Sequence, residues 1–207
     1  QTCALPILAA CMRSPEPADF VNINVHGIGH LLEGLEASSF TGRLLVVGSS
    51  AVYGNMEQSR DATDEAQEDH APCLPVSAYG ETMLEREQLV REVTARAGFS
   101  TIITRTFNLL GPDLPSFYAF SRFAERTRQL LSGASDSVEV GPLESIRDFV
   151  DVRDACVAYG ALLHVAVAPG ETVTVNVCSE VGQSIGSFFP IVEEEVGQRI
   201  PTQVNPE

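Results

Sequence analysis

The sequence contains no lysine: all thirteen of its basic residues are arginine. It also contains no tryptophan, and aromatic residues make up only 7% of the chain. Against the arginines stand 28 acidic residues, which leaves a formal net charge of −15. A chain so negative repels phosphate backbones and anionic headgroups, which argues against nucleic acid and membrane surfaces as partners. An anionic small ligand would have to be held by a local group of arginines against that field. No run approaches the roughly 18 apolar residues of a membrane span. Cysteine is sparse: Cys3, Cys11, Cys73, Cys156 and Cys178 are odd in number and lack Cys-x-x-Cys spacing. That usage fits a reduced, cytoplasmic protein without a metal site. What the chain does have is apolar residues, 44% of 207, enough to bury a sizeable core.

The first seven residues, Gln-Thr-Cys-Ala-Leu-Pro-Ile, read like the translation of a sequencing-adapter end and are set apart from the fold. After them Leu8–Ala10 closes an apolar segment. Asp19–Glu36 has helical spacing, with Phe20, Ile23, Gly27, Leu31 and Leu35 on one face. Leu44–Val47 is a short continuous apolar run, as a buried parallel strand requires. Residues 55–75 are acidic and proline-punctuated, hence a loop. Ala78–Ala97 predicts a charged amphipathic helix closed by Gly98. Strands are expected at Thr101–Thr104, Val138–Val140, Phe149–Val150 and Thr172–Val177. Helices are expected at Phe117–Leu131, at Asp154–Val167, and at Ser184–Val196 with a kink at Pro190. Strands alternating with helices predict an α/β fold with a largely parallel sheet.

Four motifs follow one another along this pattern. Gly48-Ser49-Ser50-Ala51-Val52-Tyr53-Gly54 follows the apolar strand, and ligands of doubly wound sheets sit at the carboxyl ends of strands. Some 30 residues later comes Tyr79-Gly-Glu-Thr-Met83. Arg105-Thr-Phe107-Asn108-Leu-Leu-Gly111-Pro112 is the third, and Arg147-Asp-Phe-Val-Asp-Val-Arg-Asp154 the fourth. Read singly, each is also a turn, a core aromatic or a surface ion-pair cluster. In this order they resemble the extended short-chain dehydrogenase/reductases of the NAD-dependent epimerase/dehydratase family. The closest look is to the GDP-4-keto-6-deoxy-D-mannose reductases, through the fourth motif and Val175-Asn-Val-Cys-Ser179. The resemblance covers nearly everything from Leu8 to Val196.

The resemblance implies a Rossmann-like doubly wound parallel sheet, truncated, with a smaller substrate-binding part. The first would take residues 8–108 and about 150–165, the second 109–149 and 166–207. It implies NAD or NADP as cofactor, a nucleotide sugar as substrate, and a homodimer through the helices near Phe20–Leu35 and Ala78–Ala97. By position, Ser49 (with Ser50 beside it) and Tyr79 carry the catalytic hydroxyls. Leu8, Ala9, Ala10, Asn24, Gly48, Tyr79 and Phe107 would meet the cofactor, and Asn108 and Arg147 the sugar nucleotide. Ser49, Tyr79 and Asn108 are expected around one cleft. Dehydratases need a carboxylate pair after the catalytic hydroxyl, and Ser50 and Ala51 stand there, so reduction or epimerisation is expected.

Two departures matter. The family carries lysine four residues after the tyrosine, where this chain has Met83. A phenol with a pKa of about 10 is a poor base at neutral pH, and a nearby cation lowers that value. Methionine offers no charge; Arg86 lies on the same helix face but two turns away. A lysine at 83, taken to sit at the cleft edge, would leave stability almost unchanged. The family's Gly-x-x-Gly-x-x-Gly phosphate loop is also absent from these 207 residues. About 60 residues are therefore expected to precede this sequence in a complete family member, and the chain alone is expected to be inactive. The alternatives are a non-catalytic NAD(P)- or nucleotide-sugar-binding homologue, and a single-base change of a lysine codon.

Overall fold

A computed structural model describes residues 7–8, 17–54, 71–116 and 118–205. In chain order the elements begin with β1 (Ile7–Leu8), α1 (Pro17–Phe20), a π-helical turn Val21–His26, α2 (Gly27–Ala37) and β2 (Arg43–Ser49). A 3-10 turn Ser50–Tyr53 leads on to α3 (Ala78–Ala97), β3 (Ser100–Thr106), β4 (Asn108–Leu110) and α4 (Ala119–Leu131). Then come β5 (Val138–Val140), β6 (Ile146–Asp151), α5 (Val152–Leu162) and β7 (Thr172–Val177). The last elements are β8 (Gly182–Ser184), a 3-10 turn Ile185–Phe188, α6 (Phe189–Val196) and β9 (Thr202–Val204). The chain divides into two compact units, residues 1–107 with 154–177, and residues 108–153 with 178–207.

The first unit is a Rossmann-like α/β layer. Its sheet runs β1-β2-β3-β7, and every pair is parallel. Parallel neighbours need helical crossovers, supplied by α1 and α2 before β2 and by α3 before β3. The apolar run of β2 and the β-branched run of β3 are buried nearly throughout, as a sheet shielded on both faces demands. Leu44 and Val46 of β2, Ile103 of β3, Ile28 and Leu32 of α2, and Val90 and Val93 of α3 close one core with Phe99. Helix α3 has the ends its sequence announces. The Ser77 side chain accepts from Gly80 N at 3.1 Å, and Gly98 closes the last turn at φ 81°.

Several expectations shift. The helix read over Asp19–Glu36 is interrupted by the π-helical turn, which adds a residue to one turn. Its buried positions are therefore Phe20, Asn24, Val25, Ile28 and Leu32, rather than a stripe through Ile23, Gly27 and Leu31. Pro190 does not kink a helix: it opens α6 after the 3-10 turn, where its missing N–H costs nothing. Helix α5 starts two residues before the predicted Asp154 and ends at Leu162. Thr172–Val177, placed by sequence in the second part, forms the edge strand β7 beside β3. Residues 55–70 of the acidic loop lie outside the described residues.

The second unit holds β4-β6-β8, with β6 parallel to β4 and antiparallel to β8. Strands β5 and β9 form a separate parallel pair. Five phenylalanine rings pack together in it: Phe120 lies edge-on to Phe149 and Phe188 at centroid distances of 5.0 and 4.7 Å, and Phe149 meets Phe188 at 5.2 Å. Phe123 and Phe189 meet edge-on at 4.7 Å. Among the described residues no helix is long and apolar enough to cross a membrane.

Candidate active site

The site is built where β2 ends. Ser49 is still extended (φ −141°, ψ 141°), and its Oγ accepts from Ala51 N at 3.2 Å, capping the turn Ser50–Tyr53. That leaves the Ser49 hydroxyl proton available to donate elsewhere. Gly54 then reverses the chain at φ 71°. The first turn of α3 is laid directly onto this turn: a Cβ on Gly80 would stand 2.6 Å from the Ala51 carbonyl oxygen. Only glycine allows that approach, and it brings the neighbouring Tyr79 against Val52, Tyr53 and Met83. On its other side Tyr79 meets the Phe20 ring edge-on at 5.8 Å. Ser49, Ser50 and Tyr79 thus share the carboxyl end of β2.

Gly80→Ala is a sharp test of this packing. Alanine favours a helix over glycine by about 1 kcal/mol, yet overpacking against backbone costs about 1–3 kcal/mol. The expected outcome is a net loss of up to about 2 kcal/mol in urea unfolding. A stabilised variant would show that α3 does not seat on the 50–53 turn as described.

Asn24 is fully buried in the π-helical turn, and its Nδ2 donates to Thr82 Oγ1 at 3.3 Å. Thr82 Oγ1 in turn donates to the Tyr79 carbonyl at 2.9 Å. This chain of bonds ties the element carrying Asn24 to the start of α3. Gly48 has a packing reason of its own, because a Cβ there would lie 2.3 Å from the Thr104 carbonyl oxygen. Phe107 stacks on Tyr53 at 6.4 Å, and its amide donates to Val177 O at 2.9 Å. Leu8 lies in β1 opposite Val46. Ala9 and Ala10 fall outside the described residues.

Met83 departs from the sequence expectation. It is not at a cleft edge: it is 1% exposed, closed in with Val52 and Tyr53. Sequence reading also passed over the charges beneath it. Arg105 and Glu87 form a buried bidentate pair at 3.1 and 2.8 Å, with the Arg105 guanidinium 4.8 Å from the Tyr53 ring centre. Burial works against the Arg105 cation, but hydrogen bonds to Glu87 and Tyr53 outweigh it and raise its pKa. The Tyr53 hydroxyl also donates to Asn176 Oδ1 at 2.7 Å. The signal available for the pair was the eight-residue step from Tyr79 to Glu87, which places both on one helix face.

In the second unit Asn108 pairs with Phe149 across β4 and β6, and its Nδ2 donates to the Asp148 carbonyl at 2.9 Å. The charges of the fourth motif divide by task. The Asp148 carboxylate accepts from Ser179 N at 2.9 and 3.0 Å. Asp151 caps α5 through Arg153 N at 2.8 Å, and hydrogen bonds from Arg153 lower its pKa to about 2. Arg147 instead lines a groove of ≈ 290 Å³. Arg122 and Arg126 from α4 line it too, with Phe120, Phe123 and Glu139. Sequence reading found that helix but not its face; arginines at i and i+4 beside phenylalanines were the available sign. Arg126 is ion-paired with Glu139 at 3.4 Å, so Arg122 and Arg147 are the lining cations for which no carboxylate partner is seen among the described residues.

The description that matches residues 9–178 is that of the NAD dependent epimerase/dehydratase family. The chain belongs to that family. Among the family's curated members it is similar to GDP-6-deoxy-D-mannose reductase of Pseudomonas aeruginosa, 29% identical over 181 residues, covering 86% of this chain and 57% of that one. It is similar also to UDP-glucose 4-epimerase of Azospirillum brasilense, 28% identical, covering 77% of this chain and 47% of the relative. The chain thus spans about half the length of the curated relatives it matches. Among solved structures, RMD from Pseudomonas aeruginosa complexed with NADPH matches with a TM-score of 0.85 at 28% identity, over 98% of this chain and 69% of that one. MoeE5 in complex with UDP-glucuronic acid and NAD matches with a TM-score of 0.81 at 26% identity, over 98% and 65%.

Proposed function

We propose that the protein is an NAD(P)-dependent enzyme acting on a nucleotide-activated sugar, reducing a 4-keto-6-deoxy sugar or epimerising at that carbon. The observation that carries this reading is the seating of Tyr79 on the turn that follows Ser49, at the carboxyl end of a parallel strand. When bound, the nicotinamide supplies or accepts the hydride. Among the described residues, those that fit it are hydroxyl and small groups suited to its reactive end: Ser49, Tyr79, Gly48 and the Phe107 segment. In the reducing direction Tyr79 gives its proton to the sugar carbonyl oxygen, and the Ser49 hydroxyl donates to the same oxygen. Ser50 and Ala51 offer no carboxylate to remove a carbon-bound proton, which sets dehydration aside. In the second unit, Arg147 with Arg122 and Arg126 would hold the diphosphate, and the phenylalanines would face the apolar faces of base or sugar.

A second reading, a binder of NAD(P) or nucleotide sugar that performs no chemistry, is favoured by one observation: the place of the family's lysine is a sealed apolar one at Met83. Both readings share the groove. Titration of GDP, UDP and dTDP by calorimetry should show saturable binding of one of them. Arg147→Ala should weaken it about tenfold, the size of one lost charge-assisted hydrogen bond. Equal affinity in the variant would remove the diphosphate from this groove.

A further inference from the structure

The groove of the second unit gathers arginines, yet a carboxylate lines it too: Glu139, on β5. Side chains alternate along a strand, so Glu139 points away from the buried Val138, and it stands opposite Gln203 of β9. Asn205 follows Gln203 by two residues and falls on the same face. Its backbone N–H donates to the Val140 carbonyl at 2.8 Å, which carries the ladder one residue past β9, and Asn205 lines the groove as well. The Glu139 carboxylate meets Arg126 Nη2 at 3.4 Å, with the two side chains 57% and 39% exposed. A pair so exposed contributes little and holds the carboxylate loosely. Among the described residues no other side chain pairs with it. For a diphosphate alone this carboxylate is a liability, because it repels the ligand and offsets one of the lining cations. It becomes useful when the ligand also presents N–H donors.

We propose that Glu139 and Asn205 form the part of the groove that reads the base of the sugar nucleotide, and that the base is guanine. This rests on the second unit being the sugar-nucleotide site. Guanine presents two adjacent donors, N1–H and the N2 amino group, followed by an acceptor, O6. A carboxylate accepts from both donors at once, and the Asn205 carboxamide donates to O6. Uracil and thymine present one N–H between two carbonyl oxygens, so a carboxylate that meets the N–H also faces an oxygen. Adenine presents an amino group beside a ring acceptor, with the same conflict. With these bases one Glu139 oxygen is turned against a lone pair. Arg122 and Arg147 are left to meet the diphosphate.

Calorimetric titration with GDP, UDP, dTDP and IDP (inosine diphosphate, which is GDP without the N2 amino group) tests this. The protein should bind GDP tightest. IDP should bind about tenfold more weakly, the size of one lost charge-assisted hydrogen bond. Glu139→Gln keeps the shape of the side chain and removes its charge. It should weaken GDP about tenfold and leave UDP and dTDP unchanged or slightly tighter. The side chain is exposed, so the variant should fold, and the comparison of GDP with IDP needs no variant at all. Wild-type protein that binds GDP and IDP equally, or UDP or dTDP more tightly, overturns the proposal. So does a Glu139→Gln variant that weakens every nucleotide alike, the result expected if Glu139 does no more than steady Arg126. Those outcomes leave the sugar-nucleotide reading in place. Binding of none of the four would remove that reading and the proposal with it.

Discussion

Met83→Lys, the substitution that restores the family's residue, is expected to destabilise this chain by about 3–5 kcal/mol at neutral pH. Met83 is 1% exposed, and its neighbours Val52 and Tyr53 are 0% and 3% exposed. A lysine there must either shed its proton or carry a charge into a closed apolar cluster. The folded-state pKa of such a lysine lies below its unfolded value of about 10.4. The penalty is therefore greatest at and below the folded value and fades as pH rises toward about 10. Urea midpoints of the two chains at neutral and alkaline pH measure it. An unchanged midpoint in the variant would mean that position 83 opens to solvent.

This expectation reverses what the sequence suggested, and the reason is physical. Pattern reading finds which residues share a helix face, but not how deeply that face is covered. Tyr79, Met83 and Arg86 were legible as one stripe of α3. The cover was not, because it comes from the 50–53 turn, seated by the close approach of Gly80 to Ala51. The strands were legible wherever a short apolar or β-branched run stood alone, as in β2, β5 and β7. The π-helical turn was not legible: nothing in Val21–His26 sets it apart from an ordinary helix, and it moved the buried face by one residue. Pro190 was seen but given the wrong position in its helix, since a helix start and a kink present the same residue. In the second unit the Arg147 motif was found through its resemblance. Its groove needed the face of α4, where Arg122 and Arg126 fall together only once the helix register is fixed.

The largest effect on chemistry is expected from a single oxygen. Removing the Tyr79 hydroxyl as Tyr79→Phe leaves the ring to pack on Phe20, Val52 and Tyr53, so the fold should be retained. It takes away the group proposed to exchange a proton with the sugar oxygen. General acid–base catalysis is worth about 10²–10⁴-fold, and that is the expected loss in turnover. Nucleotide-sugar affinity should hardly change, since the arginines of the second unit are untouched.

The most direct measurement follows the absorbance of reduced nicotinamide in the natural full-length protein with Met83 in place, offered a panel of 4-keto sugar nucleotides. The expected result is oxidation that requires one of those sugars and that falls by about 10²-fold or more in Tyr79→Phe. The contradicting result is a protein that binds cofactor and nucleotide sugar yet moves no hydride, or one whose rate is the same with and without the Tyr79 hydroxyl.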